Sequence, residues 1–370
     1  VIRTAKEKDM SMRLLGCLLA VTFSPTLVWP APPIQGISTT AHDSLLGCRW
    51  RRCASNIPQL PRAEGIAWLR LKFDKGPSYF AEVTTETKQV MKVMGQEVMQ
   101  TQTQTLCLRL TPMAVDEGGH GLVRMQIIGV TVKIDIGDVT IDYDSTRDRK
   151  LLNPLTDYFQ KLLDADFKLA IDPKDGETLI IDGHDELMRK FNTFCPSMDP
   201  LWKTVFSREA IAQVAAPCFQ FVPENAVRRS DRWERSHRID LGAIGGYRSV
   251  NRYTYDGRFG SHDRILVQNT VKYEPSKDKT TLPFTIKSAE LKSTAAKGEI
   301  LFDAARGRLV GSDVSMTLAG KLIVEIGGME TEVDLRQTQR TRIRVTDVNP
   351  HLQQSEPRRA RRGYSRLSSN

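Results

Sequence analysis

A chain of 370 residues with 40% hydrophobic but only 7% aromatic residues is long enough to bury a core, and its composition is that of a globular protein rather than a bundle of membrane spans. Its net charge of +9 sits mostly at the ends: residues 1–64 carry 8 Lys/Arg against 4 Asp/Glu, and residues 346–370 carry 5 Arg against 2 acids. The middle keeps only +2, too little for the broad cationic footprint that phosphate backbones require, so no nucleic-acid partner is expected.

The N-terminal stretch is read as an export signal. Arg13 precedes the apolar run LLGCLLAVTF, which is too short to span a bilayer comfortably and suits a signal-peptide core if translation starts at Met12. Residues 1–30 are therefore expected to be a signal-peptide-like or anchor segment, placing the protein in the periplasm or cell envelope. Residues 31–64, rich in Pro, Ser and Thr, read as a linker. The two Leu-Leu-Gly-Cys stretches ending at Cys17 and Cys48 lack a preceding apolar run, which argues against a lipidated cysteine.

From Gly65 to Thr346 the pattern is that of one β-rich domain. In Ile66–Phe73 the residues Ala67, Leu69, Leu71 and Phe73 share a face, predicting a half-buried strand. Two long hairpins resemble each other. Gln89–Leu110 turns at Gly95, and Ser312–Val345 turns at Gly327-Gly328; each runs from an apolar strand into a Gln/Thr-rich one. On the first, Tyr79, Ala81, Val83, Met91 and Val93 line one face. Its return strand alternates Gln100, Gln102, Gln104 with Thr101, Thr103, Thr105, and a solvent-facing strand is the favoured reading, with the polar mouth of a cavity and a flat ice- or polysaccharide-facing surface as the alternatives. Leu122–Ile134 and Val139–Tyr143 continue the sheet.

A helical insert, 151–216, interrupts the strands. Asn153-Pro154 opens a helix carrying Leu155, Phe159, Leu162 and Leu163, and helices are predicted over Asp185–Phe194 and Asp199–Ala215. Between them lie strands at Phe167–Ile171 and Thr178–Ile181. After the insert come strands at Asp231–Asp240, Tyr247–Asp256, Arg264–Tyr273, Phe284–Lys292, Gly298–Phe302 and Arg308–Leu318. The basic tail, residues 347–370, has little to bury and is expected to be disordered. The fold class is thus mainly β (α+β): a curved antiparallel sheet or open β-barrel with a two- to three-helix insert, in which the two hairpins bring the first and last strands together.

Several short motifs recur in a set order: Trp68-Leu69-Arg70-Leu71-Lys72-Phe73, Val93-Met94-Gly95-Gln96-Glu97, Ile141-Asp142-Tyr143-Asp144-Ser145, Ala165-Asp166-Phe167, Asp231-Arg232-Trp233, Tyr253-Thr254-Tyr255-Asp256-Gly257 and Phe302–Val310. In this order the chain resembles an uncharacterised family of exported bacterial proteins, abundant in planctomycetes and classed only as a domain of unknown function. Where such proteins tend to have Pro-Gly before Asp-x-Trp, this chain has Arg229-Ser230. The resemblance implies export and a β-rich domain, and carries over no catalytic residue.

Chemistry-bearing clusters read as structural. His184-Asp185-Glu186 opens a predicted helix, where acids belong. Ser261-His262-Asp263 is contiguous in a turn, whereas a triad needs side chains converging from separate segments. Asp135, Asp138, Asp142, Asp144 and Asp148 lack calcium-loop spacing and are offset by Arg147, Arg149 and Lys150. No catalytic residue, metal ligand or cofactor site is expected. Cys195 and Cys218 bracket a predicted helix, as a disulfide or as two buried thiols. Met91, Met94, Met99, Met125 and Met316 fit a core, the preferred reading, or the lining of an apolar ligand site.

Two functions compete. One is a non-enzymatic envelope protein, a binding or structural module with lipid or envelope polymer as partner. The other is a carrier of an apolar ligand in a half-barrel cavity. An apolar pocket above ~300 Å³ between sheet and helices would favour the carrier, and a filled interior would sink it.

Overall fold

The computed structural model describes residues 65–350, except 94, 138, 149–153, 164, 195–198, 200–201, 204–205, 241–245, 275–283 and 327. Met94 and Cys195 therefore lie outside the described residues, as do the leader, the linker and residues 351–370 of the tail, whereas Asp347 at the start of the tail pairs with Arg308 at 2.6 Å.

The strands are β1 Tyr79–Val93, β2 Gln96–Val115, β3 Gly121–Ile136, β4 Val139–Asp144, β5 Asp166–Ile171, β6 Thr178–Asp182, β7 Arg232–Asp240, β8 Gly246–Phe259, β9 His262–Glu274, β10 Phe284–Asp303, β11 Arg308–Ile326 and β12 Met329–Thr346. They form one antiparallel 12-stranded sheet in the order β6-β5-β3-β2-β1-β12-β11-β10-β9-β8-β7, with β4 beside one end of β3. The helices are α1 Pro154–Leu162, α2 His184–Phe194 and α3 Arg208–Ala215.

The expected closure is present. β1 pairs with β12 from Phe80↔Thr346 to Val93↔Val333, so the two long hairpins stand side by side at the centre of the sheet. Both turns need a left-handed residue, supplied by Gly95 (φ 83°) and Gly328 (φ 81°).

The sheet buries one face. Along β1 the odd residues point inward, and Glu82, Glu86, Lys88 and Lys92 lie on the other face, where Arg342 pairs with Glu86. The helical insert covers one end of the inner face. There Tyr158, Phe191, Trp202 and Phe206 form an aromatic cluster, with Phe191 ring centroids 5.0 Å from Trp202 and 4.5 Å from Phe206. Tyr143 of β4 stacks on Phe159 of α1 at 4.5 Å, tying insert to sheet. α3 touches both edge strands, β6 and β7, and so spans the open side of the sheet.

Three local expectations are corrected. Ile66–Phe73 is extended but joins no strand ladder. Its alternation is real, with Leu69, Leu71 and Phe73 buried and Ile66 and Trp68 exposed. It is held by a single bridge, Ala67 to Val227, and by the Lys72 amide donating to the Gly307 carbonyl at 3.1 Å. The helix expected over Asp199–Ala215 is divided, because the Ser207 hydroxyl accepts from the Ala210 amide at 3.1 Å and caps a new helix there. The two strands expected over Phe284–Phe302 are one strand, β10, whose register shifts between Ile286 and Ser288 and again between Thr294 and Lys297. Those irregularities break the two-residue period that the reading relied on.

Candidate functional site

The interior is divided by a polar layer. Along β1, Ala81 and Val83 belong to one apolar cluster and Met91 and Val93 to a second, with Thr85, Thr87 and Gln89 buried between them. β12 repeats the order: Val333 and Leu335, then Gln337, Gln339 and Thr341, then Ile343. On β2, Gln100, Gln102 and Gln104 precede Leu106, Leu108 and Leu110. These positions are in register, since Gln89 faces Gln100 and Gln337, Thr87 faces Gln102 and Gln339, and Thr85 faces Gln104 and Thr341. The layer continues on the far side of the fold. Tyr247 is separated from Tyr253 by Ser249 and Asn251 on β8, and Val271 from Val267 by Asn269 on β9.

The Gln face of β2 thus points inward, which overturns the solvent-facing reading of the Gln/Thr strand. The signal was present in the sequence. Gln100, Gln102 and Gln104 share parity with Leu106, Leu108 and Leu110, and one face of a strand has a period of two.

The layer is held by neutral hydrogen bonds. Gln102 Nε2 donates to Gln104 Oε1 at 3.3 Å, Gln337 Nε2 to Gln339 Oε1 at 3.4 Å, and Asn269 Nδ2 to Ser249 Oγ at 2.8 Å and to Asn251 Oδ1. Thr85 and Thr341 share a hydroxyl contact at 3.4 Å. Among the described residues, both amide atoms of Gln89 (1% exposed) and Gln100 (2%) have no partner, nor do Gln220 Oε1 and Asn269 Oδ1. A buried amide atom without a partner costs about 1–3 kcal/mol.

At the β12–β8–β9 side of this layer lies a cavity of about 160 Å³, bounded by Gln213, Ala216 and Gln220 beneath and by Asn251, Asn269, Met316 and Gln339 on the sheet. The segment carrying Gln220 is fixed by its neighbours. Tyr253 Oη donates to the Gln220 carbonyl at 3.1 Å, and Trp233 Nε1 to the Phe221 carbonyl at 3.0 Å. Gly176, in the β5–β6 turn, packs so closely that a Cβ there would stand 2.1 Å from the Phe219 carbonyl oxygen. His237 also lines the cavity; burial, with a smaller contribution from Arg235, holds its pKa below the ordinary value, so the ring is neutral at pH 7. The lining is therefore mostly apolar, with amides, hydroxyls and a neutral imidazole among the aliphatic side chains and no group that balances a charge.

The candidate methionines do not converge. Met125 lies in the larger apolar cluster, Met91 in the smaller, and Met99 is 61% exposed. Met316 alone of the described four lines the cavity. Cys218 is a buried free thiol. Asn269, Gln220 and Gln339 are the residues that sequence reasoning missed at this place.

The acidic and histidine motifs are tied up locally. His184 Nε2 contacts the Phe206 carbonyl at 2.8 Å, and Asp185 pairs with Arg208 at 2.9 Å, linking α2 to α3. Asp263 is buried, accepting from Tyr255 Oη at 2.7 Å and Arg258 at 2.9 Å, while Ser261 lies 3.3 Å from the His262 ring. Arg147 bridges Asp142 and Asp148 at 2.9 and 2.6 Å. Among the described residues, no group of three or more His, Cys, Asp or Glu is placed to hold a metal.

Fold and site together define a mainly β domain, a curved antiparallel sheet with helices over one end and a neutral polar layer across its interior. The chain belongs to a family of unknown function, DUF6263, which it matches over residues 122–309, from β3 to the start of β11. No curated protein matches it in sequence. Among solved structures it is similar to lipovitellin, studied for its lipid–protein interactions, at 10% identity and a TM-score of 0.41 over 75% of this chain and 26% of that one. The chain thus spans about a quarter of that protein's length. It is also similar to OccK7 (OpdD) of Pseudomonas aeruginosa, at 9% identity and a TM-score of 0.18 over 73% of this chain and 99% of that one. For OccAB4 of Acinetobacter baumannii the values are 7% and 0.19, over 74% and 99%.

Proposed function

We propose that this protein is an exported envelope component acting as a non-enzymatic binding module, with its ligand held in the interior polar layer. The observation that carries the reading is the cavity itself, a space of about 160 Å³ between α3 and the sheet that amides and aliphatic side chains line together. The alternative, a carrier of an apolar ligand, is weaker. The cavity falls short of the ~300 Å³ expected of such a pocket, and the larger recess of about 480 Å³ between α3, β6 and β7 is lined by Glu177, Arg208, Glu209 and Arg235 among others.

Saturation-transfer NMR of the full chain with a mixed panel of small neutral, charged and apolar compounds tests the binding. Hits are expected that disappear in Asn269→Leu; a panel with no such hit removes the reading. Export is supported by the basic start and apolar run at Arg13–Phe23. The intact mass of protein recovered from the cell envelope should correspond to a chain without that run, and a soluble cytoplasmic form retaining Met12–Phe23 would refute export.

A further inference from the structure

The two ends of the sheet differ in chemistry. At one end β1 begins, β12 finishes, and the described chain both enters and leaves. Lys72, near the entry, donates from Nζ to the Ala305 carbonyl at 2.9 Å. Asp347, just past β12, accepts from Arg308 at 2.6 Å. Both residues thus hold the β10–β11 turn, and the entering and leaving segments stand side by side. The entering segment carries an outward row of Ile66, Trp68, Arg70 and Lys72, all exposed, while Leu69, Leu71 and Phe73 alternate inward. The Arg70 guanidinium lies 4.2 Å from the centre of the Trp68 ring, which is itself 55% exposed. Val348, 53% exposed, follows on the leaving segment. The opposite end, at the tips of the long hairpins, carries the exposed carboxylates Glu97, Glu330, Glu332 and Asp334 together with Met99 and Met329.

The sequence beyond the described residues adds charge to the first end. Residues 31–64 hold four arginines against two acids, three of them in Arg49-Trp50-Arg51-Arg52, and residues 351–370 hold five against one. Even without residues 1–30, nine arginines against three acids are attached where Trp68 lies. Tryptophan with flanking cations suits the headgroup layer of a bilayer, the ring sitting among headgroups and the cations meeting anionic lipid. An anionic polymer would use the cations but leave Ile66 and Val348 in water. We infer that this end of the domain docks on an anionic bilayer surface, with Ile66 and Trp68 entering the headgroup layer, Arg70 and Lys72 facing its charge, and the acidic hairpin tips directed away. The docking face is separate from the cavity and does not depend on what the cavity holds.

The test is co-sedimentation of the full chain with vesicles of phosphatidylcholine, alone or mixed with phosphatidylglycerol, at low and high salt. Binding is expected to be tighter on the anionic vesicles and to weaken as salt rises. Each cation at such a surface is worth about fivefold in partitioning, so Trp68→Ser with Arg70→Glu should weaken binding at least about tenfold. Met99 and Arg336, which flank Val90 on the outer face towards the hairpin tips, provide the matched control. Met99→Ser with Arg336→Glu removes the same two chemistries there and should change binding less than about twofold. Ile66→Asp serves if the first pair does not fold. Equal losses from the two pairs, or none from the first, would mean that the basic extensions bind without this face, and the inference falls. It also falls if the full chain does not bind anionic vesicles. Retention on dextran sulfate that the Trp68/Arg70 pair abolishes, with vesicle binding unchanged, would assign the face to a polyanion instead and overturn it.

Discussion

Raising the pH from 8 to 11 should unfold this protein, with stability beginning to fall near pH 9. Cys107 and Cys218 have their thiol pKa values pushed up to about 12, chiefly by burial, with the nearby Glu82 adding to the effect at Cys107. Burial likewise raises the phenols of Tyr79, Tyr247, Tyr253 and Tyr273 well above their ordinary value of 10.0. Unfolding returns all six groups to ordinary values, 9.0 for the thiols and 10.0 for the phenols. Above those values the unfolded chain releases protons that the native chain retains. The folded state is then penalised by about 1.4 kcal/mol per group for each further pH unit. The stability due to keeping these groups neutral is complete below pH 9 and drains away as the pH climbs, first through the thiols and then more steeply through the phenols. Against a total of about 5–15 kcal/mol the loss is decisive by pH 11. Urea midpoints measured by circular dichroism across this range should fall steeply, and tyrosinate absorbance should rise together with the loss of structure. A midpoint that holds constant to pH 11 would mean that these groups reach water in the native state.

How much of this was legible in the sequence depends on which physical signal carried it. The pairing of β1 with β12 was readable because two long hairpins near the ends of one domain leave edges that each other's strands can cover. The helical insert was readable from its apolar stripe, although the cap at Ser207 that divides the last helix competes locally with an otherwise continuous pattern. The inward face of β2 was readable in principle. Residue type pointed to solvent, parity pointed to the core, and parity prevailed because a strand cannot turn individual side chains over without a bulge. The cavity was not readable. It requires Asn269 of β9 and Gln339 of β12 to meet Gln220, which follows α3, and no local period encodes that meeting. The scattering of the methionines has the same origin, since hairpins that share a composition place Met99 outward and Met91 inward by parity alone.

Replacing Gln89 and Gln100 together by leucine should make the protein more stable, by about 3 kcal/mol, or roughly 5 °C in melting temperature. The two residues face each other across β1 and β2, are almost wholly buried, and leave four amide atoms without partners among the described residues. Leucine has nearly the volume of glutamine and would extend the apolar rows of Val98 on β2 and Met91 on β1. Removing both amides at once matters, because a single exchange leaves the other still unmatched and recovers only part of the gain. Thermal melts of the wild type, both single variants and the pair measure the effect. A pair less stable than the wild type would show that these amides are satisfied in the native protein. The pair also separates structure from function. Neither Gln89 nor Gln100 borders the cavity, so the binding read by saturation transfer should survive the exchange, whereas Asn269→Leu should remove it. Stability gained with binding kept would show that the unmatched amides of β1 and β2 are not what the binding uses.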